Sequence, residues 1–539
     1  MASPAPKSPE QSDKNRKYDR QLRLWGDHGQ SALENAKVCL INANCLGTEI
    51  LKSLVLPGIG SFTIVDGKKV TDDDIESNFF LLADSCGKSR AEVTNQLLVE
   101  LNPDVHGDYI DEDIEQVLEN NPEFLNNFSI IVATELKEKT LMELSSKLWE
   151  LDIPFLNCKS YGFLGYIRTQ VKEHTVIESH PDNLPQDLRL DKPFPALIEY
   201  VNSVNLEEME LKDHAHVPYL VILFKYLEIW KKSTGKDFPR NFKEKESLKE
   251  MIRSGILKND EGVPEVEENF EEAIRGINSA VIPTIVPSSI KQILDDDACI
   301  NLTSKSKPFW VLAKALRDFI ENEGNGCLPL RGSLPDMTAN TFSYIALQQI
   351  YHTQAAKDAD IVFRRVQQLL RELNQSPDTI SEADTKLFCK HASELQLVRG
   401  TCITDEYQGK NTSLQSIVSE LEPPGSMLLY YLLLRGVEKF YGEYNRYPGE
   451  CNDDVQPDIV QLKGCIAKLL GEWGSGPLSK DDYVHEICRY GGCELHSISS
   501  FVGGCAAHEI IKLITKQYLP IQNTFIYDGM SSITATFSL

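Results

Sequence analysis

The segment Val38-Cys39-Leu40-Ile41-Asn42-Ala43-Asn44-Cys45-Leu46-Gly47 has the layout of a phosphate-binding turn in which most glycines have been replaced. An apolar run enters a turn, and a helix-forming stretch follows. In a G-x-G-x-x-G turn the early glycines let backbone N–H groups approach a pyrophosphate at the helix N-terminus. Here Asn42, Asn44 and Cys45 occupy the tight part, and Gly47 alone remains at the helix start. Asp66 closes the next apolar run, the place from which a carboxylate binds ribose hydroxyls in a working site. Standing before Gly67, and with the cradle altered, it reads first as a turn residue. The scaffold of a nucleotide site is present while its floor has changed.

Other reactive residues form no comparable pattern. The His214-x-His216 pair supplies two imidazoles beside a proline, too few for a metal site. Thirteen cysteines are dispersed with no C-x-x-C pair, which argues against structural zinc and for reduced thiols in cytosol or nucleus. A net charge of −25 sets duplex nucleic acid and anionic membrane aside as partners. No run reaches the roughly 18 apolar residues that span a bilayer. The densest, Met427 to Leu434, reads as one buried helix. Residues 1–17 have no apolar core and read as a disordered tail, not a secretory signal.

The elements that must position the turn alternate strand and helix over residues 18–178. Strands are expected at Val38–Ile41, Phe62–Val65, Ile130–Ala133, Phe155–Asn157 and Gly165–Val171. The first helix, Thr48 to Leu56, turns Ile50, Leu51 and Leu54 inward. Such alternation implies a largely parallel sheet with helices on its faces. From 179 to 490 amphipathic helices dominate. Leu312, Ala315, Leu316 and Phe319 form one stripe within 309–323, and Val362, Val366, Leu369, Leu370 and Leu373 another within 358–373. The charged runs Lys243–Lys249 and Glu265–Glu272 read as solvated helix faces. Over 491–539 the α/β character returns, with a helix at Ile498–Ile514 and strands at Thr524–Tyr527 and Ser532–Phe537. The 539 residues thus divide into an α/β domain in two parts, 18–178 and 491–539, and a mainly helical insertion at 179–490.

The order of motifs resembles that of the activating enzymes of ubiquitin-like proteins. Tyr18-Asp19-Arg20-Gln21-Leu22-Arg23-Leu24-Trp25-Gly26 is similar to the segment that opens their adenylation fold. Gly47 to Leu56, Gly58-Ile59-Gly60 and Ile64-Val65-Asp66 resemble the first strand–helix–strand unit. Ile153-Pro154-Phe155 with Gly162-Phe163-Leu164-Gly165 resembles the later crossover, and Gly503 to Lys512 the closing helix. Leu328 to Met337 and Asp481 to Glu486, within the insertion, resemble the non-catalytic subunit of a heterodimeric member. The resemblance implies a Rossmann-like α/β adenylation fold of the ThiF/MoeB type, interrupted by an insertion like a catalytic-cysteine domain without its cysteine.

Measured against an active member, the chain departs at several points. Active subunits carry an Arg-Gln pair where Ser77 and Asn78 align, and a metal-holding aspartate where Leu136 aligns, one position after Glu135. Their transthiolation cysteine follows a Pro-x-Cys-Thr pattern. Cys402, in Gly400-Thr401-Cys402-Ile403, lacks both the proline and the threonine and reads as structural, with Cys299 and Cys327 weaker still. The resemblance therefore implies no catalytic residue, metal or cofactor in this chain, with ATP and Mg bound by a catalytic partner. It implies that Arg20 reaches the partner's ATP phosphates across a pseudo-twofold interface, a task suited to a guanidinium fork. It also places partner contacts at Pro335, Asp336 and Met337 and at Tyr344, Ile345, Leu347, Gln348 and Gln349, a stretch that reads equally well as a buried helix start.

The expectation that follows is a regulatory subunit. It binds and stabilises a catalytic subunit, which adenylates a ubiquitin-like modifier, forms its thioester and passes it to a conjugating enzyme. Three readings stay open beside it. One is an autonomous adenylating enzyme using Glu135 and Cys402, another a SUMO-type regulatory subunit, and the last an adaptor protein. A nicotinamide dehydrogenase fits worst, because the turn lacks the glycines a dinucleotide needs.

Overall fold

The computed structural model describes residues 16–181, 185–410, 414–421, 425–451, 455–476, 478 and 481–539. Most of the expected tail lies outside these residues. Its last two, Arg16 and Lys17, are helical, and Lys17 pairs with Asp104 at 2.7 Å. The chain forms two compact units, one from its start to Val176 and from Leu397 onward, the other Ile177–Gln396.

The first unit is built on an eight-stranded sheet. Asp19–Glu34 (α1), kinked at Gly26, leads into Lys37–Ile41 (β1). Residues Val38 to Ile41 are buried, as a strand covered on both faces requires. Cys45–Val55 (α2) follows, with Ile50, Leu51 and Leu54 fully buried, each contributing about 1.5–3 kcal/mol of apolar burial. Then come Ser61–Val65 (β2), Asp72–Ser77 (α3), Arg90–Val99 (α4) and His106–Ile110 (β3). Ile114–Asn120 (α5), Ile130–Thr134 (β4), Glu138–Leu151 (α6), Phe155–Tyr161 (β5) and Leu164–Gln170 (β6) follow. Strands β3, β2, β1, β4 and β5 are parallel neighbours in that order, with Leu40 opposite Ile64 on one side and Val132 on the other. The order reverses between β1 and β4, so the crevice beyond their carboxyl ends is the ligand position of such a sheet.

The second unit is mainly helical. Its principal helices are Tyr219–Thr234 (α7), Phe242–Ser254 (α8), Glu268–Ala280 (α9), Pro308–Glu321 (α10) and Thr341–Glu372 (α11). The stripe Leu312, Ala315, Leu316 and Phe319 is buried on α10. The stripe expected at 358–373 ends a helix of 32 residues whose first half carries mostly polar or exposed positions. The Glu265–Glu272 run is not purely solvated. Glu267 is buried and accepts from Leu257 N at 2.8 Å while paired with His214, and Glu272 accepts from Thr338.

The chain returns to the first unit through Leu428–Tyr444 (α12), Val455–Glu472 (α13), Asp481–Tyr490 (α14) and His496–Thr515 (α15). Thr524–Asp528 (β7) and Ile533–Phe537 (β8) then extend the sheet antiparallel beside β6. Residues 397–490, expected within the insertion, group with the sheet instead. The reason is burial: Leu432, Leu433, Leu462 and Leu469 form one core with Tyr161, Tyr166 and Ile526 of the strands.

Candidate functional site

The altered turn keeps its backbone path. Asn42 takes φ 65°, a left-handed conformation that asparagine tolerates almost as glycine does. Its amide donates to Val65 O at 3.0 Å, and its side chain donates to Thr134 O at 2.7 Å. Asn44 caps α2, its Oδ1 accepting from Gly47 N at 2.9 Å and from Thr134 Oγ1 at 2.8 Å. Gly47 is required by closeness, because a Cβ there would lie 2.7 Å from Asn42 O.

The first turn of α2 already holds a carboxyl group. Glu494 Oε2 accepts from Cys45 N at 3.0 Å, and Oε1 accepts from Asn44 Nδ2 at 2.9 Å. The segment delivering it bends at Gly491 and Gly492, both with positive φ, and is anchored where Gly162 N donates to Cys493 O at 2.8 Å. Burial, and then the nearby charge of Glu135, push the Glu494 carboxyl up to about 8, against the pull of the Cys45 and Leu46 amides and Arg90.

Asp66 is equally engaged. Its Oδ2 accepts from Ala43 N at 2.8 Å and from Arg90 Nε at 2.7 Å, and its Oδ1 accepts from Lys68 N at 2.9 Å. Arg90, 3% exposed, also pairs with Asp74 at 3.0 Å and lies 3.7 Å from Glu135. Burial disfavours its charge, but Asp66, Glu135 and Asp74 together raise its pKa further. Asp74 and Glu135 are both lowered: burial works against this, and the neighbouring cations outweigh it. Three carboxylates thus converge on a guanidinium. No cluster of His, Cys, Asp or Glu among the described residues is arranged to hold a metal ion.

Ser77 and Asn78 sit against α2 in structural roles. Asn78, buried, donates to Thr48 Oγ1 at 3.0 Å and accepts from Phe80 N, while Ser77 O accepts from the Cys45 thiol at 3.1 Å. Cys45 also lies 3.6 Å from His496 Nδ1, the outline of a nucleophile–base pair. Burial first, and then Glu494, hold that thiol up at about 12, so it is inert near neutrality. Leu136, at the position aligned with a metal-holding aspartate, packs with Cys39, Ile41, Val65 and Ile131. Glu135 beside it pairs with Lys68 at 3.0 Å.

The crevice is roofed by α12 and the loop after it. Asn44, Glu135, Lys159, Glu438, Tyr441 and Tyr447 line a cavity of about 40 Å³, far below the roughly 300–1,000 Å³ of small-molecule sites. Lys159 and Glu438 pair inside it. The phosphate position holds Glu494 and the ribose position holds Arg90. These residues do not fit a nucleoside triphosphate.

The remaining candidates lie elsewhere. Arg20 is exposed on α1, with no ion pair or hydrogen bond to any described residue. Cys402 is 6% exposed, its sulfur 3.4 Å from Ser145 Oγ, with no open face for a thioester. His214 is a core residue stacked on Phe270, and His216 contacts Lys212 O. In the second unit, Leu347 is fully buried beside Tyr351, which removes it from any partner-facing set. Met337 packs on the same core, while Pro335, Tyr344 and Gln348 are half-buried. Asp336, Ile345 and Gln349 are exposed, with Phe342 beside them 87% exposed.

Sequence reasoning missed Glu494, Arg90 and the roof of Glu438, Tyr441 and Tyr447. Signals existed for two of them. The Gly491-Gly492 pair marks a sharp bend just before Glu494, and Ser89 with Glu92 marks the helix start that carries Arg90.

The ThiF family model matches residues 18–539. A Danio rerio NEDD8-activating enzyme E1 regulatory subunit is 50% identical over 98% of this chain and 99% of its own length. The Drosophila melanogaster protein of that name is 49% identical over the full length of both. The Saccharomyces cerevisiae one is 26% identical over 97% of this chain. Among solved structures, E. coli MccB matches with 19% identity over 28% of this chain and 44% of that chain, at a TM-score of 0.26, a likeness too low to argue from. On the strength of the full-length relatives, the chain belongs to the ThiF family and, within it, to the regulatory subunits of the NEDD8-activating enzyme E1.

Proposed function

We propose that this chain is the non-adenylating half of a heterodimer in the neddylation pathway. It binds and stabilises a catalytic subunit, and that subunit binds ATP and Mg, adenylates the ubiquitin-like modifier, carries its thioester and hands it to a conjugating enzyme. The observation that carries the reading is the internal filling of the nucleotide crevice. Glu494 sits on the first turn of α2 and Arg90 on Asp66, so the two groups a nucleotide would use are spent within the fold. Arg20, exposed and unpaired among the described residues, supports a contact in trans with phosphate oxygens in the partner's site. The exposed apolar Phe342 and Ile345, flanked by Tyr344, Gln348 and Gln349, support a partner contact at the start of α11. Thirteen unpaired thiols suit a reducing compartment, cytoplasm and nucleus.

The test is ATP–pyrophosphate exchange with modifier present. The isolated chain is expected to give none, and the chain co-expressed with a catalytic subunit to give robust exchange and modifier thioester. Robust exchange by the isolated chain would contradict the proposal.

A further inference from the structure

Backbone amides in the first turn of a helix have no partner within the helix, which is why phosphates bind there. In α2, Gly47 N is satisfied by the Asn44 side chain, whereas Cys45 N is satisfied from 449 residues away, by Glu494. The same carboxyl group takes Asn44 Nδ2, so both its oxygens are used on one turn. Its position is fixed from both sides. Cys493 O is held by Gly162 N, and Leu495 caps α15, accepting from Ile498 N at 3.0 Å. Gly492 is needed for the bend, since a Cβ there would meet the Tyr447 ring at 2.5 Å. Tyr447 in turn closes the cavity beside Asn44.

We propose that the Glu494 carboxyl group is a resident substitute for a nucleotide phosphate, seated on the α2 N-terminus so that the turn is complete with no ligand. Carboxyl and phosphate oxygens accept the same N–H groups; a phosphate has more of them and carries negative charge, where the Glu494 carboxyl, raised to about 8, fills the turn largely uncharged near neutrality. A group tethered on both sides is present at an effective concentration that dissolved phosphate does not match. The turn is therefore self-liganded. Removing the side chain vacates a site for an oxyanion, phosphate or pyrophosphate, with Cys45 N and Asn44 Nδ2 as its donors.

The inference deepens the proposed function and shares its Glu494 contact, but the two are read out differently: amide exchange at Cys45 reports where Glu494 sits, and pyrophosphate exchange reports adenylation. Hydrogen exchange on the full chain, resolved to the Cys45 amide, is the measurement. In the wild type that amide is expected to be protected like the β1 amides and to ignore added pyrophosphate. In Glu494→Ala it is expected to exchange about tenfold faster or more, and added pyrophosphate is expected to slow it again. Should Glu494→Ala not fold, Glu494→Asp keeps the carboxyl one methylene short of its donors and is expected to raise exchange at Cys45 without changing β1. Equal exchange at Cys45 in the wild type and the folded variant overturns the proposal. So does a folded Glu494→Ala chain that is blind to pyrophosphate.

Discussion

Arg90 is the residue on which the first unit's polar interior turns. It is buried among Asp66, Asp74 and Glu135, and truncating it leaves three carboxylates facing one another. Arg90→Ala is expected to destabilise the chain by about 3–5 kcal/mol, read from urea unfolding; a loss under 1 kcal/mol would contradict the arrangement. Glu494 makes a different prediction. Its carboxyl is raised to about 8, so between about pH 5 and 8 the folded state holds the proton more tightly than the unfolded state does. Stability contributed by that proton is complete below the unfolded pKa and is lost as pH rises through about 8. Wild type should therefore lose stability relative to Glu494→Gln between pH 5 and 8, in parallel unfolding curves. Asp74 and Glu135, both lowered, act oppositely: their contribution is present above about pH 4 and is lost on further acidification. Arg20 belongs to a third class, exposed and with no ion pair or hydrogen bond to any described residue. Arg20→Ala is expected to leave the melting temperature unchanged and to cut modifier-thioester formation by the assembled pair by about tenfold or more. Unchanged rates would remove it from the partner's site.

At the scale of elements, what the sequence announces is what burial on both faces demands. Val38–Ile41 and Ile130–Ala133 are apolar without interruption because each lies inside the parallel sheet, and the strands there match to within one residue at either end. His106–Ile110 carries no such run. It is an edge strand, mostly exposed, paired to β2 through its backbone. The early part of α11 shows no continuous stripe either, since only Leu347 and Tyr351 are buried before Asp358. That helix separates its own roles. Leu347→Ala should cost about 2–5 kcal/mol of stability, whereas Ile345→Glu should leave stability intact and weaken association with the catalytic subunit on gel filtration. Intact association in Ile345→Glu would remove this helix start from the interface.

For the molecule as a whole, the altered turn is only half of the change. Its replaced glycines could be read directly, because Asn42 to Gly47 are contiguous. What fills the crevice could not. Glu494 lies 450 residues from Asn44, and α12 reaches the crevice only because 397–490 folds with the sheet rather than with the helical unit. No local pattern carries such distances. Together the turn, its resident carboxyl group, the Arg90–Asp66 pair and the roof describe one nucleotide position closed from within, in a chain whose relatives are regulatory subunits. The most direct test is to count ATP bound per assembled pair at saturation, by equilibrium dialysis with a non-hydrolysable analogue. One nucleotide per pair is the predicted result, and two per pair would contradict the account.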